Sequence, residues 1–182
     1  MNYIIDANNL AGKLNLLSED DFDQRLIEII QNYLGTKQKI IVLVFDSLDP
    51  LGDTLDLGNL QVIYSARDGY SKSADDKILE IFRQWSNANY RDGEKREYGL
   101  NIIKKLAKNN LAFVSDDLDL RNKVGESRET INEKIKLMYN IDFIQVMNRN
   151  DDMKEEVDDS GDRGMDESEV EKINNDLLEI WK

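Results

Sequence analysis

Lys39-Ile40-Ile41-Val42-Leu43-Val44-Phe45 is an almost continuous apolar run that stops at a carboxylate, Asp46. A strand buried on one face alternates apolar with polar residues. A run that is apolar at nearly every position needs cover on both faces, as in the middle of a parallel sheet. Two shorter runs share this format: Tyr3-Ile4-Ile5 ends at Asp6, and Leu111-Ala112-Phe113-Val114 ends at Ser115-Asp116-Asp117. Leu60 to Ser65 reads as a further strand, after a polar loop from Pro50 to Gly58, and Ile141 to Val146 reads as the fifth. Helical spacing fills the intervals. Phe22, Leu26, Ile29, Ile30 and Tyr33 follow a capping-box form at Ser18-Glu19-Asp20-Asp21. Ser73 opens a helix carrying Ile78, Leu79, Ile81, Phe82 and Trp85. Leu100, Ile103 and Leu106 mark another helix, and Arg128 to Tyr139 a last one. Strands alternating with helices predict an α/β fold with a doubly wound, mainly parallel five-stranded sheet.

The residues that are missing narrow the chemistry. The 182 residues include no His and no Cys, which removes Ser-His-Asp and Cys-His nucleophiles, Cys/His zinc sites and disulfides together. An enzyme built from this set works with carboxylates, amides, hydroxyls, Lys and Arg. Carboxylates without soft ligands point to hard cations, Mg²⁺ or Mn²⁺. The net charge of −13 opposes a polyanionic partner at first sight. From Asn150 to Lys182, however, 13 acidic and 4 basic residues give −9, leaving −4 for the first 149 residues. This divides the chain into a globular domain at 1–149, an acidic flexible linker at 150–164, and an amphipathic C-terminal helix at 165–182 with a Val170, Ile173, Leu177, Trp181 stripe. No run approaches the length of a membrane span and the N-terminus lacks a signal-peptide layout, so the expectation is a soluble, cytoplasmic protein.

Asp6, Asp46 and Asp116 end three strands, and Asp75-Asp76 begins the helix after another. Open α/β sheets bind ligands at the carboxyl ends of their strands, so these acids are expected to be near neighbours in space. Crowded carboxylates repel one another, and a divalent cation reverses that penalty. Each acid taken singly also has a structural role open to it. Asp75 and Asp76 suit a first helical turn, Ser73 with Asp76 forms a capping box, and Asp116, Asp117 and Asp119 suit a turn and cap. Asp6 is the exception, because a carboxylate that ends a buried strand needs a partner.

These residues also carry a resemblance. Ile4-Ile5-Asp6-Ala7-Asn8-Asn9 resembles the opening motif of NYN-domain, PIN-like proteins, and Val44-Phe45-Asp46-Ser47 the second-strand motif of their bacterial YacP-like branch. Ser73-Ala74-Asp75-Asp76-Lys77-Ile78 resembles the motif that begins the following helix, and Phe113-Val114-Ser115-Asp116-Asp117 the fourth-strand motif. Gly125-Glu126-Ser127-Arg128-Glu129 keeps the branch's Ser-Arg-Glu without the Gly-Ala strand that commonly precedes it. The resemblance implies a PIN-like (NYN) fold and a Mg²⁺- or Mn²⁺-dependent endonuclease, a hydrolase usually acting on RNA, with ribosome-linked mRNA cleavage as a setting. It implies Asp6, Asp75 or Asp76, and Asp116 as metal ligands, with Asp76 taken as catalytic beside Asp6 and Asp116. Asn9 orients the site, Asp117 is the next ligand, and Asp46 and Asp119 are left open. The alternative is a catalytically silent PIN-like adaptor that binds RNA or the ribosome.

An RNA partner needs cations. Between Arg83 and Lys108 lie seven basic and three acidic residues, interleaved with Trp85, Tyr90 and Tyr98, while Arg67, Tyr70 and Lys72 precede the acid pair. Arg67, Lys72 and Arg91 are the expected phosphate contacts because they fall nearest the strand ends. The plainer reading makes Trp85 core, and Lys104, Lys105 and Lys108 read at least equally well as a solvated helix face.

Overall fold

The computed structural model describes residues 1–49, 51–65, 73–90, 105–106, 110–129 and 135–158. The chain divides into two compact units, Met1–Asn148 and Arg149–Lys182, and the sheet and its cavity belong to the first. Six strands form one mixed sheet: β1 (Asn2–Asp6), β2 (Ile41–Asp46), β3 (Asp53–Leu57), β4 (Leu60–Ser65), β5 (Leu111–Val114) and β6 (Ile135–Met138), in the order β3-β4-β2-β1-β5-β6. All neighbouring pairs are parallel except β3 with β4. The helices are α1 (Ala7–Lys13), α2 (Phe22–Leu34), α3 (Ala74–Tyr90), α4 (Leu118–Glu129) and α5 (Asn140–Asp158).

The apolar run of β2 divides its side chains between two cores, as a period of two requires. Ile41, Leu43 and Phe45 pack with Leu10 of α1, Leu26, Ile30 and Tyr33 of α2, and Phe143 and Met147 of α5. Val42 and Val44 point the other way, into Ile78, Ile81, Phe82 and Trp85 of α3 and Leu120 and Val124 of α4. Helices therefore cover both faces of a parallel sheet, and the α/β expectation holds at that level.

The expected strand set needs three corrections. The sheet has six strands, not five, because the segment read as a polar loop from Pro50 to Gly58 contains β3, which turns at Gly58 and Asn59 to pair antiparallel with β4. Ile141 to Val146 is not a strand but the start of α5. Asn140, Phe143 and Met147 are buried at helical spacing, and Asp142 Oδ2 accepts the Tyr139 N–H at 3.4 Å. The edge strand comes instead from Ile135–Met138, inside the stretch read as helix, where Ile135 and Met138 are buried beside β5. Helix α5 also continues to Asp158, beyond the position where the charge pattern begins a linker. Residues 159–182, including the Val170–Trp181 stripe, lie outside the described residues. Among the described residues, no helix is long and apolar enough to cross a membrane.

The chain order fixes where a ligand fits. From β1 the chain builds outward through β2 and β4, then returns to add β5 and β6 on the other side of β1. The direction of winding thus reverses between β1 and β5. Loops on the two sides of such a switch point part from one another and leave a crevice at the strands' carboxyl ends.

Candidate active site

A cavity of about 560 Å³ opens at that position, lined by Asp6, Asn8, Asn9, Gly12, Lys13, Leu17, Asp46, Asp75, Asp116 and Asp117. Its five aspartates come from the ends of β1 and β2, the first turn of α3, and the turn after β5. Four of them accept backbone N–H groups. Asp6 caps α1, its Oδ1 accepting the Asn9 N–H at 3.2 Å, while its Oδ2 accepts the Ser115 hydroxyl at 3.1 Å. Asp46 Oδ1 accepts the first N–H of α3, from Ala74, at 2.8 Å. Asp117 Oδ1 accepts the Leu120 N–H at 2.9 Å and so caps α4. Bonds to backbone N–H groups at helix starts thus hold Asp6, Asp46, Asp116 and Asp117 at this end of the sheet.

Two asparagines tie the elements together. Asn8 Oδ1 accepts the Asp46 N–H at 3.0 Å and joins α1 to the end of β2. Asn9 Oδ1 accepts the Asp116 N–H at 2.8 Å and the side-chain amide of Asn140 at 2.6 Å. Asn140 donates its own backbone N–H to Asp116 Oδ1 at 2.9 Å. Asn9 therefore ties the Asp116 turn to α1 and α5. Asn140 completes the arrangement from α5 and is fully buried. Lys13 Nζ stands 3.9 Å from Asp116 Oδ2.

The electrostatics follow from burial and crowding. Asp6 is 7% exposed. Burial pushes its carboxyl up to about 6, the Asn9 and Ser115 hydrogen bonds pull the other way, and Asp75 and Asp46 add to the rise. Asp75 is also raised, first by burial and then by the charges of Asp117 and Asp46, with Lys123 opposing. The wall is thus short of positive charge where its acids are most buried. Its donors are carboxylate and amide oxygens, the set that suits Mg²⁺ or Mn²⁺. Among the described residues, no three of these acids stand close enough together, as placed, to hold a metal ion.

Of the residues singled out in the sequence, Asp6, Asn9, Asp75, Asp116 and Asp117 line this one cavity, and so does Asp46. Asp76 does not line it. It is exposed in the first turn of α3, where its N–H donates to Ser73 Oγ at 3.3 Å. Asp119 is exposed and outside the lining as well. Arg67, Lys72 and Arg91 lie outside the described residues. Trp85 is core, fully buried with its indole N–H donated to the Leu106 carbonyl at 3.2 Å. Sequence reasoning missed Asn8, Lys13, Ser115 and Asn140. The Asn8-Asn9 tandem after Asp6 is a usable signal for Asn8, whereas Asn140 has none, falling between the expected helix to Tyr139 and the expected strand from Ile141. Comparison with protein-family models, curated proteins and solved structures found no match.

Proposed function

We propose that this chain is a divalent-metal-dependent endonuclease that hydrolyses phosphodiester bonds, with RNA as its substrate. One observation carries the reading: five aspartates, from separate parts of the chain, line a single cavity at the sheet's switch point. Asp6, Asp75 and Asp116 are the residues to hold Mg²⁺ or Mn²⁺, with Asp117 and Asp46 beside them. A divalent ion held there supplies Lewis-acid charge for phosphodiester hydrolysis and brings the ionisation of water toward neutral pH. Asn9 and Asn140 keep the Asp116 turn in place, and Lys13 offers a cation to a substrate phosphate next to Asp116. The motif resemblance supports assignment to the PIN-like (NYN) nucleases and, within them, to the YacP-like branch. On that basis mRNA cleavage at the ribosome is the proposed setting, with Arg67, Lys72 and Arg91 as further phosphate contacts.

A second reading, an RNA- or ribosome-binding adaptor without catalysis, draws on the capping bonds of Asp46 and Asp117, which give those acids structural work of their own. The two separate in one experiment. Purified protein is incubated with single-stranded and structured RNA and DNA in Mn²⁺, Mg²⁺ or EDTA. The nuclease reading expects cleavage of RNA with metal, none in EDTA, and none by Asp6→Asn or Asp116→Asn variants that remain folded. RNA binding without cleavage under any metal condition selects the adaptor, and cleavage that persists in EDTA overturns the metal assignment.

A further inference from the structure

The residue after β6, Tyr139, is used by neither the core nor the acid network, yet it directly precedes Asn140, which bonds both Asn9 and Asp116. Its ring is stacked on the guanidinium of Arg121, whose central carbon lies 3.5 Å from the ring centroid. Arg121 is itself anchored, donating from Nη1 to the Ser115 carbonyl at 3.2 Å, immediately before Asp116. Tyr139 nevertheless remains 45% exposed, and the apolar side chains of Leu118 and Ile141, at the first turns of α4 and α5, are exposed too. A half-exposed aromatic ring is thus fixed from behind by a cation, at the carboxyl ends of β5 and β6. Lys13, on α1, places a second cation against Asp116.

Taking the nuclease reading as its basis, we infer that Tyr139 and Arg121 form a stacking platform for an unpaired nucleobase of the substrate strand, beside the acid cavity. The chemistry selects this occupant. The free face of the ring offers π-stacking to any base, with no edge-reading groups needed, the guanidinium behind it holds the ring in place, and Lys13 offers a cation to a flanking phosphate. A base inside a duplex has its faces already covered by its neighbours and cannot use the platform. The substrate class that follows is single-stranded nucleic acid, or a loop or end with a splayed base. The strand would cross the β5–β6 side of the site.

The test measures binding in EDTA, where cleavage does not interfere, by fluorescence anisotropy of labelled oligouridine and of a short RNA duplex on the full-length chain. Tyr139→Ala is expected to weaken oligouridine binding by roughly 5- to 150-fold, the span of single aromatic–base stacks, and to leave duplex binding unchanged. Tyr139→Leu, which keeps apolar bulk without a π face, weakens it similarly, and Tyr139→Trp restores it. Circular dichroism checks that each variant folds, and the Leu variant carries the test if the Ala variant does not. Wild-type affinity in both the Ala and Leu variants, equal losses on single strand and duplex, or failure of Trp to restore binding overturns the inference. Should wild-type protein bind and cleave RNA with Tyr139 indifferent, this inference alone fails. Should wild-type protein have no affinity for RNA, the nuclease reading fails with it.

Discussion

Asp6 concentrates the tension in the site at the scale of one residue. Its carboxyl is pushed up to about 6 from an ordinary value near 3.8, chiefly by burial, so without metal the folded state holds a proton that the unfolded chain has released between those two pH values. Stability therefore falls as pH rises through that window and stays lower above it. A shift of this size corresponds to roughly 3 kcal/mol. Asp6→Asn keeps the side-chain volume and an oxygen for the Asn9 N–H while removing the buried charge. The variant should melt higher than wild type in EDTA at pH 8, with the advantage shrinking toward zero near pH 4. A variant that melts lower than wild type across the whole range contradicts this assignment of the charge. Asp6 was legible in the sequence because it directly ends the apolar run Tyr3-Ile4-Ile5. The choice between Asp75 and Asp76 was not, since adjacent positions of a first helical turn share the same favourable dipole and differ only in which way the helix is rolled. The packing of Ile78, Ile81, Phe82 and Trp85 against the sheet settles that roll and turns Asp75 to the cavity.

At the scale of elements, long patterns were readable and short ones were not. Helix α2, helix α3 and strand β2 each show several buried positions at one period, and the structure has them where the spacing indicated. The exchange of strand and helix between 128 and 146 came from apolar runs of four to six residues, which fit either period until the open edge of β5 selects one. The β3–β4 hairpin did leave a signal, the Gly58-Asn59 pair between Leu57 and Leu60, hidden by the acidic composition around it. Gly58 has φ +81, and a methyl group added there would point into open space, so Gly58→Ala should cost about 1 kcal/mol through backbone conformation alone. A shift of the urea midpoint measures it, and an unchanged midpoint contradicts the turn geometry. Trp85→Ala is a larger perturbation, about 3–5 kcal/mol, because it empties the centre of the α3 face and leaves the Leu106 carbonyl without its donor. Calorimetry or chemical denaturation reads that loss directly. Near-wild-type stability would place Trp85 at the surface instead, as a stacking residue.

At the scale of the whole molecule, charge decides how a protein of net −13 meets a polyanion. Residues 159–182 hold eight acidic and three basic side chains, a net of −5. Removing them after Asp158 should raise RNA affinity at low salt, with the gain fading as ionic strength shortens the reach of the repulsion. Loss of activity in a still-folded truncation would make the C-terminal segment part of the working site. Replacing Arg67, Lys72 and Arg91 together with Ala should flatten the salt dependence by roughly 0.7 log units for each phosphate interaction removed. Neither change bears on the claim from which the others follow, that aspartates gathered at the β1–β5 switch point bind a divalent cation. The direct measurement is the melting temperature of wild type and an Asp6→Asn/Asp75→Asn variant across an Mn²⁺ titration. A cation that binds only the native state should raise the wild-type value by about 5–10 °C at a hundredfold excess over its Kd, and the double variant should not respond. A wild-type melting temperature unchanged at millimolar Mn²⁺, or an equal rise in the double variant, contradicts a cation site at these residues.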